Sequence, residues 1–542
     1  MTVAPETGEL RNPGLPGKEE FDTVIYGSPP INSANYPASL SQYLIYQTPD
    51  PAYATGRIDI SALTNLGFGP WPFNNANVPL NGHICIPRGS GPFPLAVFAH
   101  GNHNQFENST PGYLYLCELL ASHGIIAATI DVNFLNGGLH GENDARAIVH
   151  LEHLKQFRSW NDTPAHPLHG KVNLNRILIV GHSRGGEAVG HASFFNRLDA
   201  IGAVPIDGSA GLGPYRFGLS AAAAIAPTDQ QFIPASGPTV VPDSYFIIHG
   251  SQDADVFTFE GYLTYERAHA VDLANPTVSD GKFKALLWVY KANHNQFNSV
   301  WASETPLGLA MPRPSQEQIA KVHFGALAFA VLLDRREYFD VLRDHGVAGA
   351  WEPSGTGLVS QYQDPERIFV QHHQEGLGPL VVSLPVQGTV AADDVAATRQ
   401  LIQLVGEPTT TITARLAWDA AGSRLLLRLN PATLPAERYK VMALRVGQSI
   451  EKENATYRDQ DFTIEVSSGS RTAAFAASSI HRLLFPDPPA VGTDKIVMQT
   501  LRLPLARLVE CGVDPSDLRA IALVFDRRQT GVVYTGDLQF TN

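Results

Sequence analysis

Between residues 94 and 333, short apolar runs alternate with stretches of helical period, and this alternation restricts the fold more than any other feature of the 542-residue chain. PLAVFAH (94–100), IIAATI (125–130), RILIVG (176–181), IGAVPI (201–206), YFIIH (245–249) and ALLWVYK (285–291) are each of strand length. After the first run, Tyr113, Leu116, Cys117 and Leu120 keep the i, i+3, i+4, i+7 spacing of a helix that Gly124 closes. Residues 142–159 and 184–196 have helical patterns too, a helix over about 260–274 separates the last two runs, and SQEQIAKVHFGALAFAVLL (315–333) reads as a closing helix. Strands alternating with helices imply an α/β fold, a mainly parallel sheet covered on both faces. In this reading residues 208–240 contain no strand and form a cap over the substrate pocket.

The chain is too long for one ordinary core, so the division into domains follows the change of pattern. Residues 1–55, rich in Pro, Gly, Asn and Ser, read as an irregular lead-in, and 56–350 as the α/β domain. After a linker within 346–378, residues 375–542 change character: TITARLAW, RLLLRL, YKVMALRV, DFTIEV, TLRLPL, AIALVF and GVVYTGDLQF are β-rich runs separated by turn residues. Such a series predicts an all-β, jelly-roll-like sandwich. A net charge of −13 argues against nucleic acid and anionic membranes as partners. No apolar run approaches the roughly 18 residues of a spanning helix. The first residues, MTVAPETGEL, lack a basic-then-apolar leader, which suits a cytoplasmic protein or a secreted one already trimmed. Cys85, Cys117 and Cys511 are spaced for neither a disulfide framework nor a zinc site.

The chemistry begins where RILIV runs into Gly181-His182-Ser183-Arg184-Gly185-Gly186 and a helix follows. This is G-x-S-x-G in a strand–turn–helix setting, where small neighbours let a strained turn lift the serine hydroxyl above the sheet. A serine needs a base, and the base an orienting acid. In α/β-hydrolases these follow in the order Ser, Asp or Glu, His, with the histidine after the last strand. His294, after LLWVYK, stands at that place, and Asp253 in HGSQDADV follows the strand before. Asp255, two residues on, is expected to point away as a solvated or capping carboxylate.

NHNQF occurs at 102–106 and again at 293–297. The flanks share nothing else, so the copies read as two loops facing one cleft at the carboxyl edge of the sheet rather than as a duplicated unit. The first follows PLAVFAH, the loop that supplies an oxyanion donor in this fold, which assigns the Asn102 N–H as one donor and the Arg184 N–H as the other. His103 is then a hydrogen-bonded loop residue or a substrate contact. No carboxylate or cysteine accompanies the two copies at zinc-ligand spacing.

Residues 80–335 resemble an α/β-hydrolase, and G-H-S-R-G-G (181–186) is similar to the serine motif of chlorophyllases. The arrangement also resembles dienelactone hydrolases, platelet-activating-factor acetylhydrolases and cutinase-like polyester-cleaving enzymes. The resemblance implies a serine esterase with Ser183, Asp253 and His294 as its triad and without metal or organic cofactor. Chlorophyllase-like members place the acid one strand earlier, at Asp207 in VPIDGSAG; dienelactone-hydrolase-like members place it in a G-x-x-D-x-x-V pattern, here Gly250 to Val256. Asp253 is the preferred acid and Asp207 the alternative. The expected substrate is a small or polymeric carboxylic ester; acyltransfer, peptide or amide cleavage, aromatic-polyester cleavage and a non-catalytic binding role stay open. The sandwich resembles galactose-binding-like jelly rolls through VVYTGDLQF, which leaves carbohydrate contact, dimer formation and a structural role as its readings.

Overall fold

Alternate side chains of Phe93–Ala99 enter different cores: Leu95, Val97 and Ala99 one, Ala96 and Phe98 the other. Val172–His182 divides the same way, Ile177 and Ile179 against Leu178 and Val180. Strands apolar on both sides lie buried between two layers. The computed structural model describes residues 10–29, 37–231, 237–268, 281–306, 308–403, 408–492 and 495–542. Its largest sheet has nine strands: β1 (Phe21–Tyr26), β2 (Gly82–Pro87), β3 (Phe93–Ala99), β4 (Ile126–Ile130), β5 (Val172–His182), β6 (Leu219–Ile225), β7 (Ser244–Gly250), β8 (Lys284–Val289) and β9 (Leu358–Gln363). They are ordered β1-β2-β4-β3-β5-β6-β7-β8-β9. The run from β4 to β8 is parallel, while β1, β2 and β9 pair antiparallel.

The helices α1 (Leu114–Ala121), α2 (Glu142–Asp162), α3 (Arg184–Phe195), α4 (Gly261–Arg267), α5 (Arg313–Leu332) and α6 (Phe339–Arg343) cover this sheet. Leu151 of α2, Val189 of α3 and Tyr262 of α4 pack into one core. Leu116 of α1, Leu327 of α5 and Leu342 of α6 pack into the other. The expected helix over about 260–274 is α4 as far as Arg267; residues 269–280 lie outside the described residues.

Four expectations are corrected. IGAVPI is no sheet strand: Ala200–Ile201 pairs back on Val204–Pro205, because Gly202 takes φ +55° and Pro205 offers no N–H to a ladder. The parallel strand at this point of the chain is β6, LSAAAAI, inside the stretch assigned to a cap. Alanine is a poor strand former, but a slot between β5 and β7 admits small side chains, and Ala221 to Ile225 are fully buried there. Residues 213–217 pack along α2, where Glu152 accepts hydrogen bonds from the Gly213 N–H and the Tyr215 hydroxyl, both at 2.8 Å. Finally, the sheet overruns both assigned boundaries: the lead-in supplies β1, and β9 comes from the assigned linker.

Three residues after β9 the chain enters two antiparallel sheets. The strands are β10 (Arg367–Gln371), β11 (Gly388–Asp393), β12 (Ala396–Gln403), β13 (Pro408–Trp418), β14 (Ser423–Leu429), β15 (Val441–Gln448), β16 (Thr463–Ser468), β17 (Arg471–Ala476), β18 (Gln499–Pro504), β19 (Leu518–Phe525) and β20 (Gly531–Thr541). One sheet runs β12-β13-β20-β15-β18, with β10 also paired to β20; the other runs β11-β14-β19-β16-β17. They share one core, with Leu416, Leu444 and Phe540 from the first sheet and Leu425, Ile464 and Leu523 from the second.

Candidate active site

Ser183 occupies a backbone conformation with φ 57° and ψ −124°, which a residue bearing a Cβ adopts only under constraint. The constraint is visible in its hydrogen bonds. The Ser183 N–H donates to Ile225 O at the end of β6 (2.8 Å), and its carbonyl accepts from the Gly186 and Glu187 N–H groups that start α3 (2.8 and 3.1 Å). A Cβ on Gly181 would run into the Gly185 carbonyl, and one on Gly101 into Ser183 Cβ. The glycines of the motif and of the β3 loop are therefore needed for close approach.

The loop after β7 brings Asp253 to His294, which follows β8. Asp253 Oδ2 lies 2.7 Å from His294 Nδ1 and 3.0 Å from His249 Nε2. Asp253 Oδ1 accepts the Asp255 and Val256 N–H groups at 2.9 and 2.6 Å. Burial opposes charge on Asp253, but the facing imidazoles, His294 first, hold its carboxyl well below the usual range. Burial likewise pulls His294 down, and the charge and hydrogen bond of Asp253, with Asp255 and Glu304 adding, override it and lift the imidazole to about 9. Glu304 anchors the loop by accepting the His294 and Asn295 N–H groups at 2.6 and 3.0 Å.

The imidazole sits beside the serine turn. The ring of His182, the residue before Ser183, has its centroid 4.7 Å from that of His294. His294 Nε2 is buried and has no hydrogen-bond partner among the described residues, so Asp253 and His294 are joined while the Ser183 hydroxyl is not bonded to the imidazole.

The two NHNQF loops meet here. The His103 ring stacks on Trp301 at 4.7 Å, and Trp301 in turn lies 5.0 Å from His182. Asn298 Nδ2 donates to Ser109 O, and Trp301 Nε1 to Ser109 Oγ. Burial, with His100 beside it, lowers His103 to about 4. Asn102 Oδ1 accepts the Gly137 N–H at 3.1 Å. Arg184 opens α3, and its guanidinium reaches the fully buried Glu142 at 3.0 Å. Glu142 also pairs with the fully buried Arg146, whose Nη2 donates to Asn136 Oδ1. His100 is held as the Nδ1–H tautomer, since its Nε2 accepts the Val132 N–H and its Nδ1 faces Gly101 O at 2.8 Å.

Asp207 is not brought to this cluster: it is exposed, and its carboxylate accepts the Ser209 N–H and hydroxyl, which lower its pKa. The acidic residue after β6 is Asp229, paired with Arg267. Asp255, expected to point away, instead places Oδ2 3.6 Å from His294 Nε2 while remaining exposed. The Asp253 turn is tight enough to curl the chain back over the imidazole. His249, Glu304, Trp301 and the Glu142–Arg146 pair were not anticipated from sequence. His249 carried a signal, a polar residue ending an apolar strand, and Glu142 and Arg146 stand at the i, i+4 spacing of a helical ion pair; Trp301 acts through contacts distant in sequence. A cavity of about 380 Å³ lies elsewhere, between the large sheet and the β-rich region, lined by residues including Lys284, Arg367, Arg445 and Asp537. No family model matches the chain, and no curated protein matches it. Among the described residues, no helix is long and apolar enough to cross a membrane.

Proposed function

We propose that the chain is a serine-dependent carboxylic-ester hydrolase of the α/β-hydrolase type, with a jelly-roll-like domain attached. The observation that carries this reading is the 2.7 Å Asp253–His294 contact beside a serine on a positive-φ turn. The strand order and the parallel run from β4 to β8 support it, because they bring the β3, β5, β7 and β8 loops to one edge.

In this mechanism Ser183 Oγ attacks the ester carbonyl as His294 Nε2 takes its proton. Asp253 holds the imidazole through Nδ1 and stabilises the imidazolium. The Asn102 and Arg184 N–H groups face the developing oxyanion, the second at the positive end of α3. The imidazolium then protonates the departing alcohol and leaves an acyl-serine. A water molecule, deprotonated by His294, releases the acid and restores the hydroxyl. These steps use no metal or organic cofactor.

The test is a p-nitrophenyl ester series of rising acyl length, run with an aromatic diester and an acetylated sugar. Hydrolysis that survives chelation and disappears in Ser183→Ala is expected. Chelator-sensitive activity restored by zinc would replace the triad with metal hydrolysis. Added alcohols or amines that capture the acyl group in preference to water would make the chain an acyltransferase.

A further inference from the structure

We propose that Asp344, His345 and His481 form a site for a divalent transition-metal ion, Zn²⁺ being the best chemical match, which clasps the β-rich region to the large sheet. Asp344 and His345 follow α6 at the start of a short 3-10 turn, His345–Ala348. His481 comes from the β-rich region, just beyond the turn Ala477–Ser479. One ligand atom from each residue falls within 4.8 Å of the other two. His481 Nε2 lies 2.6 Å from Asp344 Oδ1, and the two imidazole centroids are 4.5 Å apart.

Three features give the cluster the form of a built site. Ser360 Oγ on β9 lies 3.0 Å from His345 Nδ1 and orients that ring, as outer contacts do for metal-binding histidines. The Gly346 N–H donates to Asp344 Oδ1 at 2.8 Å and fixes the carboxylate. A Cβ at Gly346 would lie 2.8 Å from His481 Cε1, so the turn leaves room for that imidazole to approach. The donor set, two imidazoles and one carboxylate, suits Zn²⁺ and its neighbours rather than Ca²⁺ or Mg²⁺, with a fourth position for water. Ligand bonds of about 2.0–2.1 Å set tetrahedral edges of roughly 3.3–3.4 Å. The His481–Asp344 separation therefore opens by about 0.7 Å as the shared proton gives way to the ion.

The competing account is a plain His481–Asp344 ion pair, in which His345 has no part. The full chain, stripped with EDTA, is titrated with Co²⁺ and then competed with Zn²⁺. One Co²⁺ per chain with visible d–d bands is expected, displaced by Zn²⁺, with a rise in Tm on loading. His345→Asn and His481→Asn each weaken binding at least about tenfold and lose the Tm rise, while His169→Asn, at an exposed site, changes neither. Far-UV circular dichroism checks folding, and His345→Asn carries the test if His481→Asn is unfolded. The site is refuted if wild type retains no ion after gel filtration, or if folded His345→Asn retains as much as wild type. Ester hydrolysis, measured well below Tm, is expected to survive stripping, so the two proposals fail separately.

Discussion

In the proposed mechanism His294 must be neutral to accept a proton, and its three carboxylate neighbours work against this. With the imidazole raised to about 9, kcat/KM is expected to climb with pH until roughly that value. Each carboxylate favours the charged ring, so Asp255→Asn should move the rising limb to lower pH. Asp255 is 60% exposed, and water screens it, so the shift should be about half a unit and shrink further with salt. A pH profile of kcat/KM for both proteins checks this; a limb that moves upward contradicts the geometry. Linkage has a definite sign here too. A folded pKa above the usual 6.5 stabilises fully below 6.5, and the contribution is lost as pH rises through about 9.

Removal of the proposed nucleophile or base should be far more damaging than removal of their neighbours. Ser183→Ala and His294→Ala are each expected to lower kcat by about 10⁴–10⁶, because the pair acts as one unit. Asp253→Asn should cost about 10⁴ by releasing the ring's tautomer. His103→Ala loses a stacking contact with Trp301 but no proton acceptor and should cost much less; Asp207→Asn, which only loosens a surface turn, should cost at most about tenfold. Rates are compared at matched folded fraction. A near-dead Asp207→Asn beside an active Asp253→Asn would transfer the acid role.

Among the elements, the N-terminus of α2 secures two others. Glu142 accepts the Gly138 N–H just before α2, pairs with Arg146 one turn on, and reaches across to Arg184 at the start of α3. Through Arg146 the network also reaches the carbonyl of His100 at the end of β3. Glu142→Ala leaves the guanidinium of Arg146 buried without its carboxylate. The expected loss is about 3–5 kcal/mol of stability, read as a lower urea midpoint. Activity should fall along with it, since the loops bearing Asn102 and Ser183 lose a common support. An unchanged midpoint would show that water replaces the carboxylate.

In the whole molecule, the β-rich region supports the candidate active site. Asp487 accepts from Ser251 Oγ and from Gln252 Nε2 (2.9 Å), the two residues before Asp253. Gln252 Oε1 in turn accepts the Ala490 N–H at 3.0 Å, and Tyr290 Oη donates to Phe485 O at 2.9 Å, close to His294 in sequence. Arg445 and Glu266 form a half-buried ion pair across the same junction. Asp487→Ala is therefore expected to lower kcat by about 10- to 100-fold, with KM little changed, because small displacements of a catalytic loop are costly. Asp487→Asn, which keeps an acceptor, should recover part of the loss. Equal kcat in all three proteins would make the contact merely structural.

Local rules sufficed for the strand–turn–helix around Ser183, the helices at 142–159 and 315–333, and the placing of Asp253 and His294 after successive strands. Each depends on nearest neighbours in the chain: glycine at close approach, apolar period, and a polar loop after a buried strand. The alanine run of β6, the hairpin at Ala200–Pro205 and the return of Asp255 toward His294 could not be read that way. Alanine becomes a strand residue here because β5 and β7 flank it, and IGAVPI fails because Gly202 and Pro205 turn it back. Asp487 acquires its role from partners in a distant loop, and a sequence pattern carries no record of such pairs. Propensity and period are properties of a few consecutive residues. The burial and charge that set the proton affinity of His294 are sums over groups gathered only when the chain has folded.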